Sequence, residues 1–485
     1  MRPSFPGRRR AVELALLHLS LLATLPWRAV AAQAGSADTL RLSVAEAIGL
    51  AQRQGDEIGI AEAQVNVADA VHGATRANML PQLRLTGGYT RVFESARGQV
   101  VGAVFNQPNT YTVAANLSQV VFQGGKLVAA TRAADESRQA ARYDEREQRA
   151  LLTLQVERAY LQALYAQRLA DLQERNVALS AGRLAQVERF ERAGQAARYD
   201  VLRARVERAN LEPFAIQARS DRELAVIELK RLINVPADRP IALVSQVDAD
   251  AAAALVAAVD DQVQVADRAA IRAAELTLEA RRSGVAVARG DYFPAISIFL
   301  QSGYQAFPVA GQGLPTRFGS LTEDACPVGT VAGKACQNGG FFSDRQVGLT
   351  VSMPVFDGFR IKSNVDLATA QARIAELQLH HQRAAVALDA ERSRAELRRA
   401  RAVFSARRQN SAEADEAFRL ATLRFERGLT TQLEVSDAQV ALLTAQGTEA
   451  RATYDLFLAT ADLARALGRP IPIPAAAAVP PAPTR

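Results

Sequence analysis

Four short stretches of the chain alternate between apolar and polar positions, and two of them run directly into long helical stretches. Leu83, Leu85, Gly87 and Tyr89 fall on one side, with Arg84 and Thr86 on the other. Tyr111, Val113, Ala115 and Leu117 oppose Thr112, Asn116 and Ser118. Ile296, Ile298 and Leu300 oppose Ser297 and Gln301, and Val347, Leu349, Val351, Met353 and Val355 oppose Thr350 and Ser352. A period of two predicts β-strands with one apolar face, and roughly 9–11 residues is the length of a strand that crosses a bilayer. A soluble antiparallel sheet gives the same alternation, so the strands alone leave both readings open. Four strands cannot close a barrel, for which about eight is the practical minimum, and open sheet edges are not tolerated in lipid. Strands that enter a membrane must therefore be pooled by several chains.

The remaining stretches carry helical patterns. Residues 43–77 and about 252–290 are rich in Ala, Glu, Arg and Val and contain no proline, which predicts helices that stop before Pro81 and Pro294. From Lys126 to Glu191 there is no proline and only Gly182, and from Ile361 to Arg427 there is neither proline nor glycine. Each stretch of roughly 65 residues makes a rod of about 100 Å, which a compact domain cannot use. Tyr165, Leu172 and Leu179 are spaced by seven and Leu154 and Leu161 continue the stripe, with Arg, Glu and Gln between them. That spacing predicts coiled-coil packing, an ordinary solvated coiled coil being the alternative.

These elements occur twice. "RANMLPQLRLTGGY" (76–89) is answered by "RGDYFPAISIFLQSGY" (289–304), and "LKRLINVP" (229–236) by "LARALGRP" (463–470). "ERAGQAARYDVLRARVE" (191–207) is answered by "ERGLTTQLEVSDAQVA" (426–441), with Gly194 opposite Gly428 and Asp200 opposite Glu434. Phe122 and Gly124 answer Phe356 and Gly358, and the offset stays at 234 from Leu117 to Pro236. Two copies of one unit follow: helix, two strands, very long helix, returning helix.

Composition changes this picture only in part. The formal net charge is +7, but Arg2, Arg8, Arg9, Arg10 and Arg28 against Glu13 account for +4 of it, and the rest is spread over interleaved Arg and Glu. A phosphate-binding patch, and with it nucleic acid, is excluded. "GRRR", the apolar "AVELALLHLSLLATLPW" and the small residues Ala29 to Ala31 form a secretory signal whose apolar core is too short to cross a bilayer. No cysteine follows it, so no N-terminal lipid anchor is expected. The only cysteines, Cys326 and Cys336 in "CPVGTVAGKAC", are expected to close a surface loop as a disulfide in an oxidising compartment. His380 and His381 are adjacent and point to different helix faces, so no metal site and no cofactor are expected. "GGK" at 124–126 lacks the phosphate-loop pattern, and no Ser-His-Asp or Cys-His set can be assembled, so the chain is not expected to be an enzyme.

The duplicated "LP-x-L" strand starts, the junction "VSMPVFDGFR", the two long helices and the "G-x5-(D/E)-V-x2-A" turns resemble TolC-type outer-membrane factors, the outer membrane efflux protein family, over about residues 40–470. The resemblance implies a mainly α fold with membrane β: a homotrimer in which each chain gives four strands to one 12-stranded barrel, continued by a periplasmic α-helical barrel. It places the β-to-α passage at Phe122, Gly124, Pro354, Phe356 and Gly358. The family's usual junction proline is present at Pro354 and replaced by Val120 in the first unit, and Gly55-Asp56-Glu57 stands where Asn-Pro is common. At the far tips, Glu434 and Asp437 share a helix face and match acids that ring the closed periplasmic entrance, while Leu433 matches an apolar constriction found in some members. Two solvated helix-face acids are the alternative. Asp200 matches an acid that pairs with a neighbouring helix, but the family's Tyr and Arg partners correspond to Phe425 and Thr430, leaving Arg424, Arg427 or Arg203 as substitutes. Arg192, Gly194, Arg427, Gly428 and Thr430 are the expected contacts for an adaptor.

The division follows: signal peptide 1–31, first helices 32–80, first hairpin 81–122, first long helix pair 123–236, linker and second helices 237–293, second hairpin with a long outer loop 294–356, second long helix pair 357–470, and a Pro/Ala tail 471–485. The implied function is a passive outer-membrane channel of a tripartite efflux or type I secretion system, working with a periplasmic adaptor and an inner-membrane pump of RND, ABC or MFS type. Drugs, metal ions and a secreted polypeptide all stay open as cargo. The rival reading is a periplasmic coiled-coil adaptor or scaffold, a partner rather than a pore.

Overall fold

The computed structural model describes residues 39–94, 100, 109–245, 247, 251, 268–308, 318–319 and 341–471. The expected signal segment, the Cys326–Cys336 disulfide, most of the long outer loop and all of the Pro/Ala tail beyond 471 lie outside the described residues.

In chain order the elements are β1 (Leu40–Leu42), α1 (Val44–Gln54), α2 (Asp56–Ala77), β2 (Gln82–Arg91), β3 (Asn109–Gln123), α3 (Lys126–Arg192), α4 (Arg198–Leu232), β4 (Ile241–Leu243), α5 (Ala269–Gly290), β5 (Ala295–Ala306), β6 (Phe318–Gly319), β7 (Phe341–Ser352), α6 (Arg360–Glu426) and α7 (Gln432–Ala466). The two rods α3 and α6 are 67 residues each and their returning partners α4 and α7 are 35 each. Residues 43–77, read from sequence as one helix, form two. Gly55 sits between them in an extended conformation, φ −71° and ψ 129°, and a Cβ there would stand 2.4 Å from the Ala51 carbonyl. The second unit's first helix is described from Ala269, and residues 252–267 of its expected span lie outside the described residues.

The main sheet has the order β2-β3-β5-β7-β6. Its register sorts side chains into two faces. Leu83 pairs with Leu117, Leu117 with Leu300 and Leu300 with Val347, whereas Arg84 pairs with Asn116, Asn116 with Gln301 and Gln301 with Gln346. The apolar face is exposed at Leu83, Leu85, Leu300, Val347 and Leu349. On the other face Asp344 accepts hydrogen bonds from the amides of Gln305 (2.9 Å), Gln346 (3.4 Å) and Gln301 (3.5 Å). The strands run 10, 15, 12 and 12 residues, so β5 and β7 pass the expected length by one residue and β3 by four. Val120 keeps an N–H where the second unit has Pro354, so β3 continues pairing to Gln123 through a bulge between Val120 and Phe122, while β7 ends at Ser352.

Both passages from strand to rod turn through two residues of positive φ: Gly124 (56°) and Gly125 (75°), then Gly358 (69°) and Phe359 (66°). At Gly124 space also forbids a side chain, because a Cβ would lie 2.4 Å from the Gly290 carbonyl. Phe359 adopts the left-handed conformation without glycine's freedom, at a cost of roughly 1–2 kcal/mol. Its ring meets Phe356 edge-on at 5.9 Å, and the Asp357 carboxylate accepts the Ile361 N–H at 2.8 Å to cap the rod.

The helices pack at a waist midway along the rods. One cluster joins Leu42, Val44, Ile48, Ile58, Leu152, Val156, Tyr160, Leu229 and Ile233, and another joins Leu161, Leu397, Phe404, Phe457 and Leu463. Of the sequence stripe, Leu154, Leu161 and Leu172 are buried, but Leu179 is exposed: the seam has drifted off that face. The buried Tyr160 hydroxyl donates to the Leu42 carbonyl (2.6 Å) and accepts from the N–H groups of Val244 and Ser245 (both 3.1 Å), pinning the parallel pair β1–β4 to α3. Contacts recur between the halves: Arg149 pairs with Glu62 at 2.6 Å, and Arg383 with Glu275 at 2.7 Å.

Beside Tyr160, Glu157 is fully buried, and neither carboxylate oxygen has a hydrogen-bond partner among the described residues. Burial, with repulsion from Asp462 added, raises its pKa to about 8. Asp462 is itself raised by burial, while Arg158, at 3.3 Å, pulls it the other way. A carboxyl raised in the fold favours the folded state fully below its unfolded value and loses that contribution as pH climbs towards the folded one. Thermal stability of the purified protein should therefore decline between about pH 5 and pH 9. Glu157→Gln should flatten that decline and melt a few degrees higher at pH 9; an unchanged pH profile in the variant would show that Glu157 does not titrate there.

Candidate gate at the helical tips

The rods reverse at two turns built alike. Gly194 and Gly428 both have φ 72°, with Gln195 N–H donating to the Phe190 carbonyl (2.8 Å) and Leu429 N–H to the Arg424 carbonyl (2.9 Å). A Cβ at either glycine meets nothing within 4 Å, so backbone conformation rather than space calls for glycine. Behind the first turn, Leu184, Val187, Val201 and Ala204 close a small apolar cluster. Arg192 is exposed and its Nε donates to the Glu188 carbonyl at 3.2 Å, and Arg427 ends α6 with its N–H on the Leu423 carbonyl at 3.3 Å.

The expected gate residues sit at the start of the returning helices, each in a different electrostatic setting. Among the described residues of one chain Asp200 meets no neighbouring helix: its carboxylate turns back to accept the Ala197 N–H at 3.1 Å, an N-terminal cap of α4. Glu434 accepts from Arg424 at 2.7 Å and from the Thr430 hydroxyl. Arg424 is thus engaged with Glu434 rather than replacing a lost partner of Asp200. Asp437, one turn on, is exposed and makes no hydrogen bond or ion pair among the described residues, and Leu433 is half-exposed beside it. The unneutralised acid of the pair is therefore Asp437.

Sequence reading missed a polar knot about one to four turns back from the helix ends at the tips. The Arg183 guanidinium reaches Glu207 at 3.4 Å and also donates to the Gln439 side chain. Ser436 donates to Glu207, and the Gln439 amide donates to Asn176. Asn176 and Gln439 are buried, and burial lowers the Arg183 pKa against the raising effect of Glu207. Contact across α3, α4 and α7 makes this knot a polar tie between the two hairpins of one chain near their tips. Arg, Glu, Gln and Asn at these positions look in sequence like solvated helix faces, and no local pattern marks them. Among the described residues no group of three or more metal-ligating side chains occurs, and no helix is long and apolar enough to cross a membrane.

Comparison with known proteins bears on what these tips serve. No curated protein sequence matches the chain. Solved structures share its fold. The outer membrane channel CmeC of Campylobacter jejuni is 16% identical, with 88% of this chain and 85% of that chain covered at a TM-score of 0.71. The outer membrane protein VceC of Vibrio cholerae is 19% identical, with 88% and 97% covered at 0.69. The MtrE outer membrane channel of Neisseria gonorrhoeae, in its open state, is 21% identical, with 88% and 89% covered at 0.67. The family model of the outer membrane efflux protein matches residues 47–235 and 262–469, one segment for each half of the chain. That match sets aside the reading as a periplasmic adaptor: the chain belongs to the outer membrane efflux protein family, as an efflux channel of the outer membrane.

Proposed function

We propose that three copies of this chain close a 12-stranded barrel in the outer membrane and an α-helical tunnel beneath it, and that the tunnel passively conducts cargo handed over by an inner-membrane pump through a periplasmic adaptor. The observation that carries this reading is the sheet. One face is apolar and exposed, the other carries Arg84, Thr86, Asn116, Gln301, Asp344 and Gln346, and among the described residues β2 has no strand along its outer edge. An apolar-out, polar-in sheet suits lipid outside and water inside, and its edges are satisfied only by sister sheets. Phe122 and Phe356, both exposed beside Gly124 and Gly358, suit the lipid interface, with Pro354 ending the second strand there.

At the tips, three copies bring three Asp437 carboxylates together, a ring that favours cations. Glu434 is already neutralised in its own hairpin, so the effective ring holds fewer charges than the six carboxylates alone would give. Asp200 stabilises the turn rather than the lock. The Arg183–Glu207–Ser436–Gln439–Asn176 knot holds the two hairpins together, and widening the entrance requires α7 to leave α4. Arg192, Gly194, Arg427, Gly428 and Thr430 form the end surface offered to an adaptor, whose pump is of RND, ABC or MFS type. Small molecules are the proposed cargo. Deleting the chain should raise drug susceptibility and leave secreted-protein levels unchanged; the reverse pattern would reassign the cargo to polypeptide.

In detergent the mature protein should run as a heat-modifiable trimer and be recovered with the outer-membrane fraction; a water-soluble monomer would remove the channel reading. In planar bilayers Asp437→Ala should weaken divalent block more than Glu434→Ala does, and equal or absent effects would take Asp437 out of the entrance. Glu207→Ala should raise basal conductance several-fold if the knot holds the entrance shut; wild-type conductance in that variant would show that it does not.

A further inference from the structure

The rod α6 carries a face that nothing among the described residues of one chain covers. Leu367, Ile374, Leu377 and Leu388 are exposed along it, as are Ile60 and Val67 on α2 and Leu224 and Ile227 on α4. The other rod, α3, has no such gap at the equivalent places, because α5 and α7 lie against it. The two halves correspond residue by residue: Arg149–Glu62 and Arg383–Glu275 are the same ion pair, displaced by 234 positions on the rod and 213 on the short helix. Applying those displacements shows what the bare face lacks. Ile374 corresponds to Ala140, Ile60 to Ala273 and Val67 to Ala280. The first set is 55%, 59% and 63% exposed; the second is 5%, 4% and 9% exposed.

We infer that the bare face of α6 seats α2 and α4 of a second copy, in the register that α5 and α7 adopt on α3. The inference rests on the trimeric reading above and adds its contacts. Within one chain, Arg158 on α3 pairs with Asp462 on α7 at 3.3 Å. The corresponding residues are Arg392 and Glu228, so Arg392 meets Glu228 of the partner subunit, with both charge signs kept. Arg392 is exposed and forms no ion pair within the chain among the described residues, while Glu228 holds only its neighbour Arg231 at 2.7 Å. Nearer the membrane Lys126–Asp291, at 2.6 Å, becomes Arg360 with Asn78 of the partner subunit, still a donor facing an acceptor. Three contacts do not carry over: Glu147, which binds Arg268 and Arg465 inside the chain, is replaced by His381, Ser283–Glu136 becomes Ala70 with Ala370, and Arg183–Gln439 becomes Ala417 with Arg205.

The substitutions also assign a difference in spacing. Alanine against alanine lets two helices approach closely, whereas Ile and Val hold them further apart. The helical wall therefore alternates a narrow seam inside each subunit with a wider, more apolar seam between subunits, and is three-fold rather than six-fold in its packing.

The test is cross-linking in the full-length protein in detergent, with Cys326 and Cys336 changed to serine. Arg392→Cys with Glu228→Cys, treated with a short bis-maleimide, should give covalent dimers and trimers on a denaturing gel. Arg158→Cys with Asp462→Cys should cross-link at monomer size. A preparation that is trimeric by native mass but gives no ladder with the 392/228 pair, or gives one with either single cysteine, overturns the register. A preparation that is monomeric by native mass overturns the trimeric reading instead. Independently, Arg392→Glu and Glu228→Arg should each lower the temperature at which the trimer dissociates, and the double exchange should restore it; additive losses in the double variant would also overturn the pairing.

Discussion

A sheet with an apolar face and unpaired edges cannot stand alone in lipid, where each orphaned N–H or C=O costs several kcal/mol. Everything else in this chain is arranged around that constraint. Four strands with sorted faces need sister strands, and in the proposed trimer a subunit that supplies a third of a barrel also supplies a third of the helical tunnel below it. The rods answer to the same demand. The bare face of α6 lies where no described part of the same chain reaches, as the sheet's free edge does.

The join between the two architectures concentrates the backbone cost. A strand that ends at the membrane surface must re-aim its chain down a 67-residue helix within two residues, and both joins do so through positive φ. The first uses two glycines. The second places Phe359 in that conformation and holds it with an edge-on contact to Phe356 and the Asp357 cap. Val120 in place of a proline lengthens the first join and introduces a bulge, so the two joins are alike in direction and unlike in detail.

Polar groups buried among the helices fall into two kinds. Tyr160 has its donor and two acceptors all engaged, which makes the waist rigid. Glu157, one turn away, has neither oxygen engaged among the described residues, and burial shifts it towards its neutral form. The knot at Arg183 and Glu207 lies between these extremes, desolvated yet paired.

The alternation at Leu83–Tyr89 and Ile296–Leu300, the proline-free rods and the duplicated order are local patterns, so strands, rods, turns and the 234-residue offset were all legible in the sequence. Gly124, Gly194, Gly358 and Gly428 could be read because a positive φ leaves a mark in residue type. Pairings between distant side chains leave no such mark. An Arg on a helix has many acids within reach in sequence and only geometry selects one, which is why Arg424 went to Glu434 and Asp200 to its own cap. The break at Gly55, the exposure of Leu179, the isolation of Glu157 and the knot across α3, α4 and α7 depend on how helices hundreds of residues apart lie against one another, and only the tertiary structure decided them.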